Sequence, residues 1–151
     1  MIIVTNILVT LNSTYLRPLK VMLQSLFLNN PHRTFKVFMM HTDIKTEEFH
    51  SLEQFVQANG SELVNIQVDG KHFEEAPILK HYTKEMYYRL LAFKFLPKEI
   101  DRILYLDPDI LVLNSIDEIY ELDLGEHLYA AACHDKTSIK EINQILLSPY
   151  E

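Results

Sequence analysis

Two aspartates separated by a single proline stand between two short apolar runs. Asp107 and Asp109 follow residues 103–106 and precede residues 110–113, and Pro108 lies between them. Both runs have the composition of buried strands, and the proline restricts the backbone between the carboxylates. Because side chains two positions apart in an extended chain point to the same side, we expect both carboxylates to face one point.

This pair of carboxylates favours a hard divalent cation. Two such groups repel each other unless a cation lies between them or one of them takes a proton. Oxygen ligands alone suit Mg²⁺ or Mn²⁺ better than Zn²⁺, and such an ion keeps open positions that phosphate oxygens can fill. The alternative is a surface turn, in which Asp and Pro are common. The apolar runs on both sides favour a metal site, since parallel sheets bind ligands at the carboxyl ends of their strands.

Composition limits the kind of protein. The 151 residues, of which 48% are hydrophobic, are enough for one globular domain with its own core. A net charge of −7 argues against nucleic acid as a partner, because phosphate backbones require a basic surface. The first residues lack the basic region of a signal peptide, and no apolar run approaches the roughly 20 residues of a membrane span. The single cysteine, Cys133, fits a reducing compartment, so we expect a cytoplasmic protein without membrane spans.

The glycines exclude two common nucleotide-binding loops. Only Gly60, Gly70 and Gly125 occur, far apart in the chain. A Walker A loop and a Gly-x-Gly-x-x-Gly turn both need clustered glycines. A nucleotide would therefore have to be held in another way.

The spacing of apolar residues predicts alternating strands and helices. Strands are predicted over residues 6–11, 34–41, 63–68, 103–106 and 128–133. Helices are predicted over residues 18–29, 46–58, 83–96 and 115–120, with a further helical pattern over residues 138–147 and a long loop, a candidate lid, over residues 69–82. This alternation predicts one α/β domain over residues 1–151 with a mostly parallel sheet flanked by helices. The last helical pattern has barely begun when the chain stops, so we expect the domain to be partial.

The loop after the first strand should reach the same edge of the sheet as the aspartates. It contains Thr10, Leu11, Asn12 and Tyr15. The Asn12 amide could donate to and accept from a pyrimidine edge, and Tyr15 could stack on a base. The alternatives are helix capping for Asn12 and simple packing for Tyr15.

Arg89, on the predicted helix over residues 83–96, has two interpretations. It could form an (i, i+4) pair with Glu85, a surface contact worth about 0.2–0.5 kcal/mol. It could instead reach the ligand or brace the aspartates. The sequence leaves both open.

With these motifs in order, the chain resembles the N-terminal half of family 8 glycosyltransferases, a retaining galactosyl- and glucosyltransferase group. The matching segments are residues 9–15, 83–90, 102–112 and 130–135, and together they cover nearly the whole chain. The strongest is the third, which contains Leu-Tyr-Leu directly before the two aspartates. The resemblance implies a Rossmann-like GT-A nucleotide-diphospho-sugar transferase fold.

The resemblance also implies roles for individual residues. Asp107 and Asp109 would hold Mn²⁺ (or Mg²⁺), which bridges the diphosphate of a UDP-sugar, with Pro108 between them. Leu11 and Asn12 would meet the uracil, with Tyr15 stacked on it, and Thr10 would belong to the same nucleotide-sugar-binding site. Arg89 would lie near the sugar-phosphate. His81 stands where the family often has a histidine, and its alternative is a surface histidine of the loop.

The implied partners are a UDP-galactose or UDP-glucose donor and a saccharide acceptor such as a lipopolysaccharide or surface glycan. Homo-oligomerisation through an apolar face left exposed is a further hypothesis. The family's late His-x-x-Gly-x-x-Lys-Pro segment is absent from this sequence, and Asn12 stands where the family usually has an acid. We therefore expect a nucleotide-sugar-binding half with weak or absent transfer activity.

Two other functions fit parts of the sequence. A haloacid-dehalogenase-like phosphatase also places Asp-x-Asp after an apolar strand and uses the first Asp as nucleophile. That family needs a longer chain after the pair, and Leu111 stands where Thr or Val is usual. A non-catalytic or degenerate nucleotide-sugar-binding module is the second alternative.

Overall fold

Four strands in the order β3-β2-β1-β4 form a fully parallel sheet. They cover Ile3–Thr10 (β1), Arg33–His41 (β2), Glu62–Gln67 (β3) and Leu104–Tyr105 (β4). This computed structural model describes residues 3–69, 88–89 and 92–132 of the chain. The predicted α/β class with a parallel sheet is confirmed, and the four strands lie within three residues of their predicted bounds.

Helices connect the strands as the alternation predicts. They cover Leu16–Asn29 (α1), Thr46–Ala58 (α2) and Asp117–Tyr120 (α3), with 3₁₀ turns over Ser13–Tyr15 and Ala92–Lys94. At the start of α2 the backbone N–H of Lys45 donates to the Glu48 carboxylate at 3.1 Å, so an acid satisfies a free N–H of the first turn. In the part of the chain that the structure describes, no helix is both long and apolar enough to cross a bilayer.

The carboxyl-terminal halves of the two central strands are buried on both faces, which explains their apolar runs, residues 7–9 of β1 and residues 37–40 of β2. On one face, Ile7 and Val37 belong to a core that α1 and α2 cover. On the other face, Leu8, Phe38 and Tyr88 belong to a second core. Since successive strand residues point to opposite faces, a run without polar alternation is what such a position requires. These cores fix β1 and β2, and with them the edge where both strands end.

The segment that leaves Asp109 is not a strand, so the second strand predicted beside the aspartates, residues 110–113, is wrong. Only Val112 of that run is buried, and its backbone bonds to α1 instead of a sheet neighbour. Its N–H donates to Ser25 Oγ at 2.9 Å, and its carbonyl accepts from Asn29 Nδ2 at 3.0 Å. These side chains of α1 compete successfully for the backbone groups that a sheet would otherwise pair.

A cluster of charges around Arg33 holds a later part of the segment that follows Asp109. The Arg33 side chain is 1% exposed and donates to Asp117 and Glu121, and its Nη1 donates to Thr5 Oγ1 at 2.9 Å. Its guanidinium also lies 5.6 Å from the centre of the Tyr120 ring. The start of β2 is thereby tied to α3, close to the amino ends of the strands and away from the aspartate edge.

The charge cluster predicts a specific dependence of stability on pH. Hydrogen bonds from Ser115, His32 and Arg33 lower the pKa of Asp117 from 3.8 to about 2. A carboxylate whose pKa is lower in the folded state stabilises the fold above its unfolded pKa, and this stabilisation is lost as pH falls through the folded value. We therefore expect the difference in urea midpoint between the native chain and Asp117→Asn to be full at pH 5, to shrink below about pH 4 and to vanish below about pH 2. A difference that stays constant over this window would contradict the assignment.

The chain divides into two compact units, residues 1–121 and residues 122–151, and all elements named above belong to the first. In the second, the described residues 122–132 contain a turn in which the N–H of Gly125 donates to Asp123 Oδ1 at 2.8 Å. The strand predicted over residues 128–133 is wrong for its described part, since residues 128–132 form no strand and Leu128 is 96% exposed. Cys133 and the helical pattern over residues 138–147 lie outside the described residues, so the one-domain prediction stays a prediction.

Two other predictions fall largely outside the described residues. The loop over residues 69–82 is described only at Asp69. Of the helix over residues 83–96, Tyr88 and Arg89 are helical and Ala92–Lys94 form a 3₁₀ turn.

Candidate functional site

The sheet reverses its strand order at β1. Along the chain, β2 and β3 are added on one side of β1, and β4 on the other. The carboxyl ends of β1 and β4 therefore lie side by side at the point of reversal, where open α/β sheets form a ligand-binding crevice. The Asn12 loop follows β1 and the aspartates follow β4, so the residues predicted to do chemistry stand at the two sides of this crevice.

The loop after β1 is held by its own side chains. Asn12 Oδ1 accepts from the N–H and hydroxyl of Thr14 and caps the 3₁₀ turn that begins there, so the capping interpretation of Asn12 is confirmed. The amide NH₂ group takes no part in these bonds and keeps donors for a ligand. Leu11 is buried and its N–H donates to the carbonyl of Met40 at 3.2 Å, so neither its side chain nor its N–H is available to a ligand. The Tyr15 ring is 39% exposed.

Side chains that follow β2 brace this loop. Asp43 accepts from the N–H and hydroxyl of Ser13, at 3.2 and 3.0 Å. Buried His41 is fixed as well: its Nδ1 accepts from the N–H of Ile44 at 3.2 Å, so its Nε2 carries the proton and donates to Asn65 Oδ1 at 2.7 Å. The ends of β1 and β2 are therefore joined by hydrogen bonds, and the Asn12 loop has a defined position.

Tyr105, the last residue of β4, connects the two sides of the crevice. Its hydroxyl donates to Asp107 Oδ1 at 2.7 Å and lies 3.3 Å from Thr10 Oγ1. The guanidinium carbon of Arg89 lies 5.3 Å from the centre of its ring, within the range of a cation–π contact. Three of the predicted site residues, from three segments of the chain, thus meet at one side chain.

The phenol of Tyr105 stays protonated at neutral pH. Burial raises its pKa above the usual 10, and the hydrogen bond and negative charge of Asp107 add to the rise, while Thr10 and Arg89 oppose it. The hydroxyl can therefore act as a donor to the Asp107 carboxylate, which is a charge-assisted hydrogen bond.

The two aspartates stand on a turn and not on an extended strand. β4 ends at Tyr105, and although the N–H of Leu106 still donates to the carbonyl of Leu8 at 3.1 Å, the chain turns at Pro108 and Asp109. The predicted reason for their juxtaposition, an extended backbone, is therefore wrong. Pro108 is buried, and Asp107 and Asp109 are exposed at the edge of the sheet.

This donor set fits a hard divalent ion that is held by few protein ligands. Carboxylate oxygens suit Mg²⁺ and Mn²⁺, and Mg²⁺ is commonly bound by one or two carboxylates together with water and substrate phosphates. Over residues 3–69, 88–89 and 92–132, no three His, Cys, Asp or Glu side chains come together as a metal cluster. Asp107 and Asp109 stay the predicted ligands, and a pair of carboxylates would leave the other positions of such an ion to water and phosphate oxygens.

A groove elsewhere on the described chain has a different character. It measures about 480 Å³ and runs along the outer side of α1 beside Phe55 and Leu111. Its lining is mostly apolar, and Lys20 stacks on the Phe55 ring with its Nζ 4.9 Å from the centre. The convergent polar groups of the molecule lie instead at the crevice between β1 and β4.

Not all predicted site residues can be placed, and two residues at the crevice were not predicted. His81 and Glu85 lie outside the described residues, so the pairing of Arg89 with Glu85 stays open. Tyr105 was missed, although its place two positions before Asp107 on a strand could have indicated it. Asp43 was missed because its partner Ser13 lies 30 positions away, which no local pattern reveals.

The fold is shared with solved glycosyltransferases. The galactosyltransferase LgtC, crystallised with donor and acceptor sugar analogues, matches with a TM-score of 0.73 over 80% of this chain and 44% of its own, at 23% identity. The apo form of the glycosyltransferase GlyE of Streptococcus pneumoniae matches with a TM-score of 0.67 over 85% of this chain and 29% of its own, at 26% identity. The parallel sheet and these likenesses show that the chain has the GT-A fold.

Sequence comparison identifies the family. The model described as glycosyl transferase family 8 matches residues 6–149, so the chain belongs to this family. It is 30% identical to GlyE of Streptococcus pneumoniae serotype 4 over 125 residues, which are 78% of this chain and 29% of GlyE. It is 25% identical to the lipopolysaccharide 1,3-galactosyltransferase of Salmonella typhimurium over 126 residues, 83% of this chain and 37% of that protein. Membership of the family decides against the phosphatase alternative.

The chain spans less than half the length of the curated relatives it matches. The shares are 29% of GlyE, 29% of the related glycosyltransferase GlyF and 48% of the general stress protein A of Bacillus subtilis.

Proposed function

We propose that this chain binds a UDP-sugar at the crevice between β1 and β4, through a divalent cation held by Asp107 and Asp109. The observation that carries the proposal is the convergence of Thr10, Arg89 and Asp107 on Tyr105 at the point where the strand order reverses. Open α/β sheets bind nucleotides at such points.

Each side of the crevice would have a separate task. The Asn12 amide and the Tyr15 ring would face the base, because both follow β1. The Asn12 oxygen is already used in capping, so the amide would contribute its NH₂ donors. Arg89 would compensate the charge of the sugar-phosphate. In glycosyl transfer the bond to the diphosphate breaks, and a divalent cation, Mn²⁺ or Mg²⁺, stabilises the charge that develops on this leaving group.

The wider reaction rests on the family and its named members. In this proposal the protein is a hexosyltransferase that transfers galactose or glucose with retention, and the 151 residues act as one nucleotide-sugar-binding unit. A saccharide acceptor such as lipopolysaccharide is supported by the lipopolysaccharide galactosyltransferase and glucosyltransferases among its relatives. Homo-oligomerisation and a cytoplasmic location are further hypotheses of this proposal.

Calorimetric titration of UDP into the chain, with Mn²⁺ and with EDTA, tests the binding step. We expect saturable binding with Mn²⁺ and a loss of most of the affinity with EDTA, because the cation would bridge the carboxylates and the diphosphate. Far-UV circular dichroism of the same samples establishes that the chain is folded. A folded chain that binds UDP under neither condition would contradict the proposal, and equal binding under both would contradict the role of the metal.

A further inference from the structure

The Tyr105 hydroxyl makes two hydrogen bonds whose directions can be assigned. A phenol has one hydrogen, and the shorter contact, 2.7 Å to Asp107 Oδ1, takes it, since a carboxylate oxygen can only accept. The 3.3 Å contact to Thr10 must then have the Thr10 hydroxyl as donor. The result is a chain of donors that runs from Thr10 through Tyr105 to Asp107.

This arrangement orients the Asp107 carboxylate. Oδ1 is engaged by the hydroxyl, so Oδ2 is the oxygen that can turn to a cation without loss of the Tyr105 bond. The tyrosine itself is held in place, because its backbone pairs with Leu8 of β1 and its ring packs on the second core of the sheet. Asp107 stands on a turn and is exposed, so its orientation depends on this contact more than on the backbone.

The ring of Tyr105 has a different contact from its hydroxyl. Arg89 is exposed, and its guanidinium carbon lies 5.3 Å from the ring centre. An exposed arginine has many rotamers, and a ring beneath it restricts them at the edge where the aspartates stand. The hydroxyl and the ring can therefore be tested separately.

We propose that Tyr105 is a positioning residue for this site: its hydroxyl orients Asp107 for the divalent cation, and its ring holds Arg89 for the anionic ligand. The inference rests on the proposed nucleotide-sugar binding. Groups that hydrogen-bond to metal ligands typically change metal affinity by about 10–100-fold when they are removed.

Two substitutions of Tyr105 separate its two contacts. Tyr105→Phe removes the hydroxyl and keeps the ring, so we expect the Mn²⁺ concentration needed for half-maximal UDP binding to rise about 10-fold, with UDP affinity at saturating Mn²⁺ close to that of the native chain. Tyr105→Leu removes the ring as well, so UDP affinity should fall even at saturating Mn²⁺. Free Mn²⁺ is measured by electron paramagnetic resonance and UDP affinity by calorimetry.

Tyr120→Phe is the matched control. The Tyr120 hydroxyl also makes two hydrogen bonds, accepting from the N–H of Asn6 and donating to the carbonyl of Arg102, both at 3.2 Å, but it lies towards the amino ends of the strands. We expect this variant to lose stability and to keep the native Mn²⁺ dependence. Equal Mn²⁺ dependence in Tyr105→Phe and the native chain, or equal shifts in both Phe variants, would overturn this inference alone. A native chain without Mn²⁺-dependent binding would overturn the proposed function with it.

Discussion

Replacing Asp109 with alanine is expected to abolish Mn²⁺-dependent binding of UDP. The loss should exceed the about 10–100-fold that substitution of an outer hydrogen-bond partner costs, because a direct ligand would be removed. In the part of the chain that the structure describes, no third acidic or histidine side chain joins the two aspartates. A cation site whose protein ligands are two carboxylates loses half of them in this variant.

The substitution should leave the fold intact, which makes the result interpretable. Asp109 is exposed on a turn, and surface substitutions of this kind usually change stability by no more than about 0.5 kcal/mol. The measurement is the same calorimetric titration with Mn²⁺, accompanied by a urea unfolding curve for each variant.

Asp101→Ala provides the matched control. Asp101 is also exposed, precedes β4 and has the same charge, so it tests whether a general loss of negative charge matters. We expect native binding in this variant. If Asp101→Ala and Asp109→Ala bound UDP equally well, the aspartates after β4 would not be the metal site.

The strands were predictable because their environment leaves a simple pattern. Residues 34–41 lie in a strand between two neighbours. Phe35, Val37 and Met39 face one core and alternate with the half-buried Lys36, and residues 37–40 are all apolar because both faces are buried there. The position of the site followed from the same information, since the order of strands and helices places the loop after β1 and the aspartates at one edge. Sequence therefore indicated the edge of the sheet at which the candidate site residues meet.

The contacts within the site were not predictable in the same way. Residues 110–113 read as a strand, but Ser25 and Asn29 of α1 bind the backbone of Val112, and this depends on the distant fold. The orientation of Asp107 depends on the hydroxyl of Tyr105. The position of the Asn12 loop depends on Asp43, which bonds to Ser13 from 30 positions away. Local patterns specify which face a side chain occupies, and tertiary contacts decide what it touches.

Arg33→Ala is expected to destabilise the chain by about 1–3 kcal/mol. Removing one partner of a buried ion pair costs about 3–5 kcal/mol when the other is left as an unpaired buried charge. Here the buried partner is the arginine itself, and Asp117 and Glu121 are 38% and 62% exposed and can return to water. The cost should therefore fall below that range, and it comes mainly from the lost bond to Thr5 and the space left beneath Tyr120.

The effect of this substitution should appear in the region of α3. Arg33 ties the start of β2 to α3, and α3 follows the segment that leaves Asp109. The same segment is held by the bond from the N–H of Ile116 to Asn30 Oδ1 at 2.8 Å, which Arg33→Ala leaves in place. We therefore expect a folded variant whose α3 region exchanges its amide hydrogens faster than the native chain does.

One further variant separates the effect of charge from that of packing, and another is a control at an exposed arginine. Arg33→Met fills most of the space and removes the charge, so it should lose less stability than Arg33→Ala, and the difference measures the cavity. Arg17→Ala, at an exposed position on α1, should stay within about 0.5 kcal/mol of the native chain. Urea unfolding at pH 7 measures all three. A value for Arg33→Ala as small as that for Arg17→Ala would show that the buried guanidinium contributes nothing net, because its desolvation would then cancel its ion pairs.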